Sequence, residues 1–167
     1  VVRPLGSFFP GTDRTPDMIE FDSFVLAAAT DTLADEPAAR EHADAVEFRM
    51  DFATDPLDAL ADYDGDLPLI ATNRPTWEGG DAEDGPERLD ALETAVEHDA
   101  VGAVDLELAA VADEDTRTAE DARTGEAASS STCTDEVARV AEHARAHDAA
   151  VIVSTHDFEA TASRERL

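Results

Sequence analysis

The chain has 167 residues, 43% of them hydrophobic, enough for one sizeable core and too few to demand two. Its 40 Asp and Glu stand against 12 basic residues, all arginine, and the net charge of -28 argues against a nucleic-acid or anionic-membrane partner, whose phosphates need clustered Arg or Lys. Cys133 is the sole cysteine, so no internal disulfide or cysteine-rich metal centre can form, and no metal or other cofactor is expected.

Residues 1–17 carry Pro4, Gly6, Pro10, Gly11 and Pro16 without clear periodicity and precede Met18; they are expected to be a non-native or disordered leader, with the domain over 18–167. Compact apolar runs bounded by turn or charged residues then predict strands over Phe24–Ala29, Ala45–Met50, Leu67–Thr72, Val101–Leu108 and Ala149–Ser154. Helical patterns lie between them. Asp35 is placed to cap a helix through His42, and a shorter helix is expected over Pro56–Tyr63. Gly85-Pro86 opens another, with Leu89, Leu92 and Val96 at helical spacing. Residues 112–131, rich in Asp, Glu, Ala, Thr and Ser, read as an exposed acidic insertion that ends in a polar linker around Cys133. Thr134 is expected to cap the last helix, with Val137, Val140, Ala141 and Ala144 along one face.

Alternating strands and helices imply parallel strands joined by right-handed crossovers, as in an open doubly wound sheet or a closed (β/α) barrel. Ala27-Ala28-Ala29-Thr30-Asp31 stands at the end of the first strand in place of a glycine-rich phosphate fingerprint, which favours the barrel. No run is long enough to span a membrane and the start lacks a basic region followed by an apolar stretch, so a cytoplasmic location is expected.

Polar clusters sit at the ends of the apolar runs: Val46-Glu47-Phe48-Arg49-Met50-Asp51, Ala71-Thr72-Asn73-Arg74 with Glu78-Gly79-Gly80, and Ser154-Thr155-His156-Asp157-Phe158. Side chains alternate along a strand, so Glu47 and Arg49 project to one face while Phe48 and Met50 project to the other. A charged interior face is costly unless its charges are paired or working, and strand ends of β/α chains are where active sites lie. Glu47 and Arg49 read equally as an internal ion pair. Gly79-Gly80 reads as a flexible turn, and Asp105 and Glu107 as interior support. His42, His98, His143 and His147 are expected on helical surfaces, without metal-ligand spacing.

Glu47-Phe48-Arg49-Met50-Asp51, Arg74 with Glu78-Gly79-Gly80, Asp105-Leu106-Glu107-Leu108 and Ser154-Thr155-His156-Asp157-Phe158 together resemble the successive signatures of type I 3-dehydroquinate dehydratase, over roughly Phe24 to the C-terminus. That family is a (β/α)8 TIM barrel, commonly a homodimer, which performs the third step of the shikimate pathway. The resemblance implies that the ketone of 3-dehydroquinate condenses with a lysine to an imine, and that a histidine removes an adjacent carbon-bound proton and protonates the departing hydroxyl. His156 matches that histidine, and Glu78 the carboxylate that orients it. Glu47, Arg49 and Arg74 match residues that hold the substrate.

The family's imine lysine stands on the sixth strand, whereas this sequence stops at Leu167 and has no lysine. The expected fold is therefore an α/β barrel of which about the first five β/α units are present, inactive by itself. Another imine-forming barrel lyase or aldolase, or a non-catalytic acidic fragment, fits some of the same features.

Acidic side chains spread between periodic apolar positions, with no lysine, suit a surface that holds hydrated cations in concentrated salt, the habit of a protein from a salt-loving organism. Circular dichroism from low to molar KCl should show helical signal rising with salt. Full folding in salt-free buffer would contradict this reading.

Overall fold

The computed structural model describes residues 19, 21–111 and 130–156. The leader expected over 1–17 and the acidic insertion up to residue 129 lie outside the described residues. The strands are β1 (Ala27–Thr30), β2 (Ala45–Arg49), β3 (Leu69–Thr72), β4 (Val101–Glu107) and β5 (Ala150–Ser154). The helices are α1 (Glu36–Ala39), α2 (Pro56–Ala61), α3 (Pro86–Val96), α4 (Leu108–Val111) and α5 (Ser130–Ala146).

All neighbouring strands pair in parallel, and their order in space is their order in the chain, β1-β2-β3-β4-β5. A doubly wound sheet reverses its strand order at a switch point; a barrel wall advances in one direction. The fold is α/β of the barrel type, with its first five strands in place.

The outward face is the larger core. Val46, Phe48 and Met50 of the second strand run, Leu69 and Ala71 of β3, and Val104 and Leu106 of β4 are buried beneath Leu89, Leu92 and Val96 of α3 and Val137, Val140 and Ala144 of α5. The two helices are also laced at their surface, where Arg139 reaches Asp90 at 2.7 Å and Glu93 at 2.8 Å. The inward face is most apolar toward the N-terminal ends of the strands, where Ala45, Ile70 and Ala103 pack with Ile19, Val25 and Ala27. One bulge adjusts this layer: the β3–β4 register shifts between Leu69 and Ile70, with Gly102 the extra residue on β4. A Cβ on Gly102 would meet Ile19 Cγ1 at 3.1 Å.

Helix ends depart from the sequence reading. Asp35 makes no capping bond and closes a 3-10 turn (Leu33–Asp35), after which α1 runs only to Ala39. What holds this segment is tertiary: the buried Glu36 carboxylate accepts from Arg40 Nε at 2.8 Å and from the backbone N–H of Asp66 and Leu67. Arg40 also pairs with Asp66. Helix α5 already includes Ser130, so Thr134 lies inside it rather than capping it, and Cys133 is helical rather than in a linker. The packed face from Val137 to Ala144 anchors enough of this helix to carry weaker helix formers along with it. Phe24 precedes β1 and is 86% exposed.

Leu92 is fully buried between helix and sheet. Leu92→Ala is expected to cost about 3 kcal/mol in urea unfolding, the usual range for a leucine removed from a core. A loss under about 1 kcal/mol would mean that α3 does not seal the outward face as described.

Candidate active site

The polar half of the inward face begins one pleat above the apolar layer. Arg49, Thr72, Asp105 and Ile152 lie side by side across β2 to β5, and Glu107 lies beside Ser154 one step nearer the C-terminal ends. Arg74, just beyond β3, is 8% exposed and turns its guanidinium back over this layer. Its Nη2 donates to Asp105 Oδ2 at 2.9 Å and to Glu47 Oε1 at 3.5 Å, so a single cation ties β2, β3 and β4 together. Among the described residues Thr72 Oγ1, Asp105 Oδ1 and Ser154 Oγ, buried on the same face, have no hydrogen-bond partner.

Glu47 and Arg49 do not form the internal pair that their spacing allows. Arg49 instead donates from Nε and Nη2 to Asp51 at 2.9 and 2.6 Å, and its guanidinium lies 4.4 Å from the centre of the Phe52 ring. This forked bond to Asp51 outweighs burial and holds Arg49 all the more firmly protonated. Asp51 Oδ2 also accepts the Asp81 N–H at 3.3 Å, which links the end of β2 to the loop after β3.

That loop carries Glu78 and is tightly folded rather than slack. Thr76–Glu78 forms a 3-10 turn closed by Gly79 at φ 78°, the left-handed region that glycine enters without penalty. Gly80 then passes so close to the preceding strand that a Cβ would lie 1.9 Å from Arg74 O. With the Gly80 N–H bonded to Pro75 O and the Ala82 N–H to Arg74 O, the chain doubles back on itself and drives Glu78 inward, to 4% exposure. Glu78 Oε2 lies 3.0 Å from Nδ1 of His156, the second residue after β5. A carboxylate so placed accepts the Nδ1 proton and fixes the imidazole tautomer. The structure thus gathers Glu47, Arg74, Glu78 and His156 at the C-terminal mouth of the sheet, with Arg49 on the same face.

Sequence reasoning overlooked Arg88. It stands in the first turn of α3, buried at 4% exposure. Its Nη1 donates to Glu107 Oε2 and to Asn73 O, both at 3.0 Å, while Asn73 Nδ2 donates back to Arg88 O at 3.1 Å. A signal was available: Arg88 lies one turn before Leu92 and therefore on the buried stripe of the helix. His98 was expected on a helical surface; it stands instead in the turn before β4, half-buried beside Tyr63, and its Nδ1 accepts the Ala100 N–H at 3.2 Å. Burial pushes its pKa down. His42 and His147 are exposed, as expected, but stand in the turns after α1 and α5 rather than in the helices.

The profile of the type I 3-dehydroquinase family matches residues 23–167. The chain belongs to that family. It is 55% identical over 149 residues to a 3-dehydroquinate dehydratase of Haloarcula marismortui, an alignment covering 89% of this chain and 57% of that protein. It is 48% identical over 145 residues to the 3-dehydroquinate dehydratase of Halobacterium salinarum, covering 87% and 56%. The chain thus spans about half the length of these relatives, both from haloarchaea. Among solved structures, the 3-dehydroquinate dehydratases of Enterococcus faecalis and Geobacillus kaustophilus superpose with TM-scores of 0.58, each at 21% identity. The alignments cover 84% and 86% of this chain and 57% and 54% of those chains. They share its fold.

Burial raises the Glu107 carboxyl above its ordinary value of 4.5, against the pull of Arg88. Folded protein therefore takes up this proton before unfolded chain does, so Glu107 favours folding on the acid side, and that contribution is lost as pH rises from 4.5 through the raised value. Glu107→Gln should gain stability relative to the native protein as pH rises across that interval, measured by urea unfolding. A difference that stays constant with pH would contradict the shift.

Proposed function

We propose that the protein to which this sequence belongs is a 3-dehydroquinate dehydratase, a lyase of aromatic amino acid biosynthesis that converts 3-dehydroquinate to 3-dehydroshikimate and water. The observation that carries this reading is the contact of His156 with Glu78 at 3.0 Å, at the same mouth as the Arg74–Glu47 pair. Kinship with curated dehydratases supports the choice of substrate.

In this reading Glu78 holds the Nδ1 proton, which leaves Nε2 with the lone pair needed to take a proton from carbon. The imidazolium so formed is stabilised by the Glu78 carboxylate and then returns a proton to the leaving hydroxyl, so one group serves as base and acid. Arg74 and Glu47 offer a donor and an acceptor on one side of the site, and Arg49, held rigid by Asp51 and Phe52, offers a second guanidinium. The lysine to which the family resemblance assigns the imine is not among the 167 residues. The protein works in the cytoplasm without a cofactor, and its complete form is a homodimer.

The test uses a version extended to the length of the relatives. His156→Ala should lower kcat by a factor of about 10² to 10⁴, the usual worth of a general acid–base, while borohydride still traps the substrate imine. The 167-residue chain alone should give neither turnover nor a trapped adduct. Unimpaired turnover by His156→Ala removes that residue from its role; an extended protein inert toward 3-dehydroquinate refutes the assignment.

A further inference from the structure

The Glu78–His156 contact joins segments that follow β3 and β5, which are not neighbours; β4 runs between them. Two strand spacings amount to roughly 10 Å, so the contact holds only if the end of β4 is fixed relative to both flanks. On the β5 side the sheet itself does this, because Glu107 is in register with Ser154, two residues before His156. On the β3 side the paired ladder stops at Thr72↔Asp105, short of Glu107. Arg88 closes that gap. Its Nη1 bonds both Asn73 O, beyond β3, and Glu107 Oε2, the last residue of β4. The Asn73 amide returns a bond to Arg88 O, and the next residue after Asn73 is Arg74, against whose carbonyl the Glu78 loop is folded. Both side chains of the Arg88–Glu107 pair are 1% exposed, so solvent does not loosen it.

We propose that Arg88 is a positioning residue, which locks the ends of β3 and β4 together and thereby sets the distance between Glu78 and His156. Its own bonds go to Asn73 and Glu107. Catalysis by the pair rests on the function proposed above, but the geometric role does not, since the tautomer of His156 reports the Glu78 contact without any substrate.

The measurement is long-range ¹H–¹⁵N NMR of the His156 ring in the 167-residue chain, in molar KCl and at mildly alkaline pH. Native protein should show the Nδ1–H tautomer. Two variants cut the lock without stranding a buried charge: Arg88→Gln with Glu107→Gln, and Arg88→Met with Glu107→Leu, the latter because apolar replacements of a buried ion pair commonly preserve folding. In whichever of them is folded by circular dichroism, the tautomer ratio should move toward Nε2–H by about tenfold, the worth of one hydrogen bond to a charged acceptor. Arg88→Lys, which keeps a cationic donor at the position, should restore most of the native ratio. A folded double variant with the native ratio overturns the proposal, and so does a native chain without the Nδ1–H form. If the NMR result holds but the extended protein is inert toward 3-dehydroquinate, the function falls and the positioning role stands.

Discussion

A parallel sheet that carries ionised groups on its inward face must compensate each of them locally; Arg49 does so along its own strand run, through Asp51, whereas Arg74 and Arg88 do so by bridging strands. Arg74 serves Glu47 and Asp105 from two flanking strands, and Arg88 serves Glu107 and the Asn73 carbonyl. An uncompensated carboxylate at such depth costs several kcal/mol or gives up its charge. Guanidinium suits the task because its planar fork reaches more than one acceptor and never loses its proton. The same bonds that make the polar face tolerable also fix its geometry, so stability and site architecture are a single problem here.

The loop after β3 shows how much a few backbone positions contribute. Gly79 supplies a left-handed turn and Gly80 a close approach to the Arg74 carbonyl, and together they swing Glu78 from the chain's edge into the mouth. A side chain at position 80 needs the loop to open, which moves Glu78 away from His156. Asp51 supports the same loop from the other side while orienting Arg49. The polar mouth is thus braced from β2, β3 and α3, and His156 arrives on β5 into a prepared setting.

Much of this was legible in the residues. The strands stood out because both faces of a buried parallel sheet leave compact apolar runs, and the alternation within Val46–Met50 correctly separated the outward core face from the charged inward face. Helix termini were less legible. Asp35 looked like a cap, yet Glu36 is the residue that matters, through acceptors it offers to a loop some thirty positions away that no local pattern announces. Ser and Thr before Val137 resembled a linker because their propensity is weak, whereas packing against α3 extends the helix through them. The partner of each charge was hidden for the same reason: spacing along β2 suggested Glu47 with Arg49, while the fold pairs them with Arg74 and Asp51. Arg88 was passed over because an arginine on an amphipathic helix is ordinarily solvated.

Glu78 and His156, brought together across an intervening strand, act as one unit. A double-mutant cycle on the folding stability of this chain, with Glu78→Gln, His156→Ala and the two combined, reads their coupling directly. The contact is partly open to solvent on the histidine side, and a coupling energy of about 1 kcal/mol is expected. Additivity within about 0.3 kcal/mol would show that the two side chains do not interact, and would contradict the account.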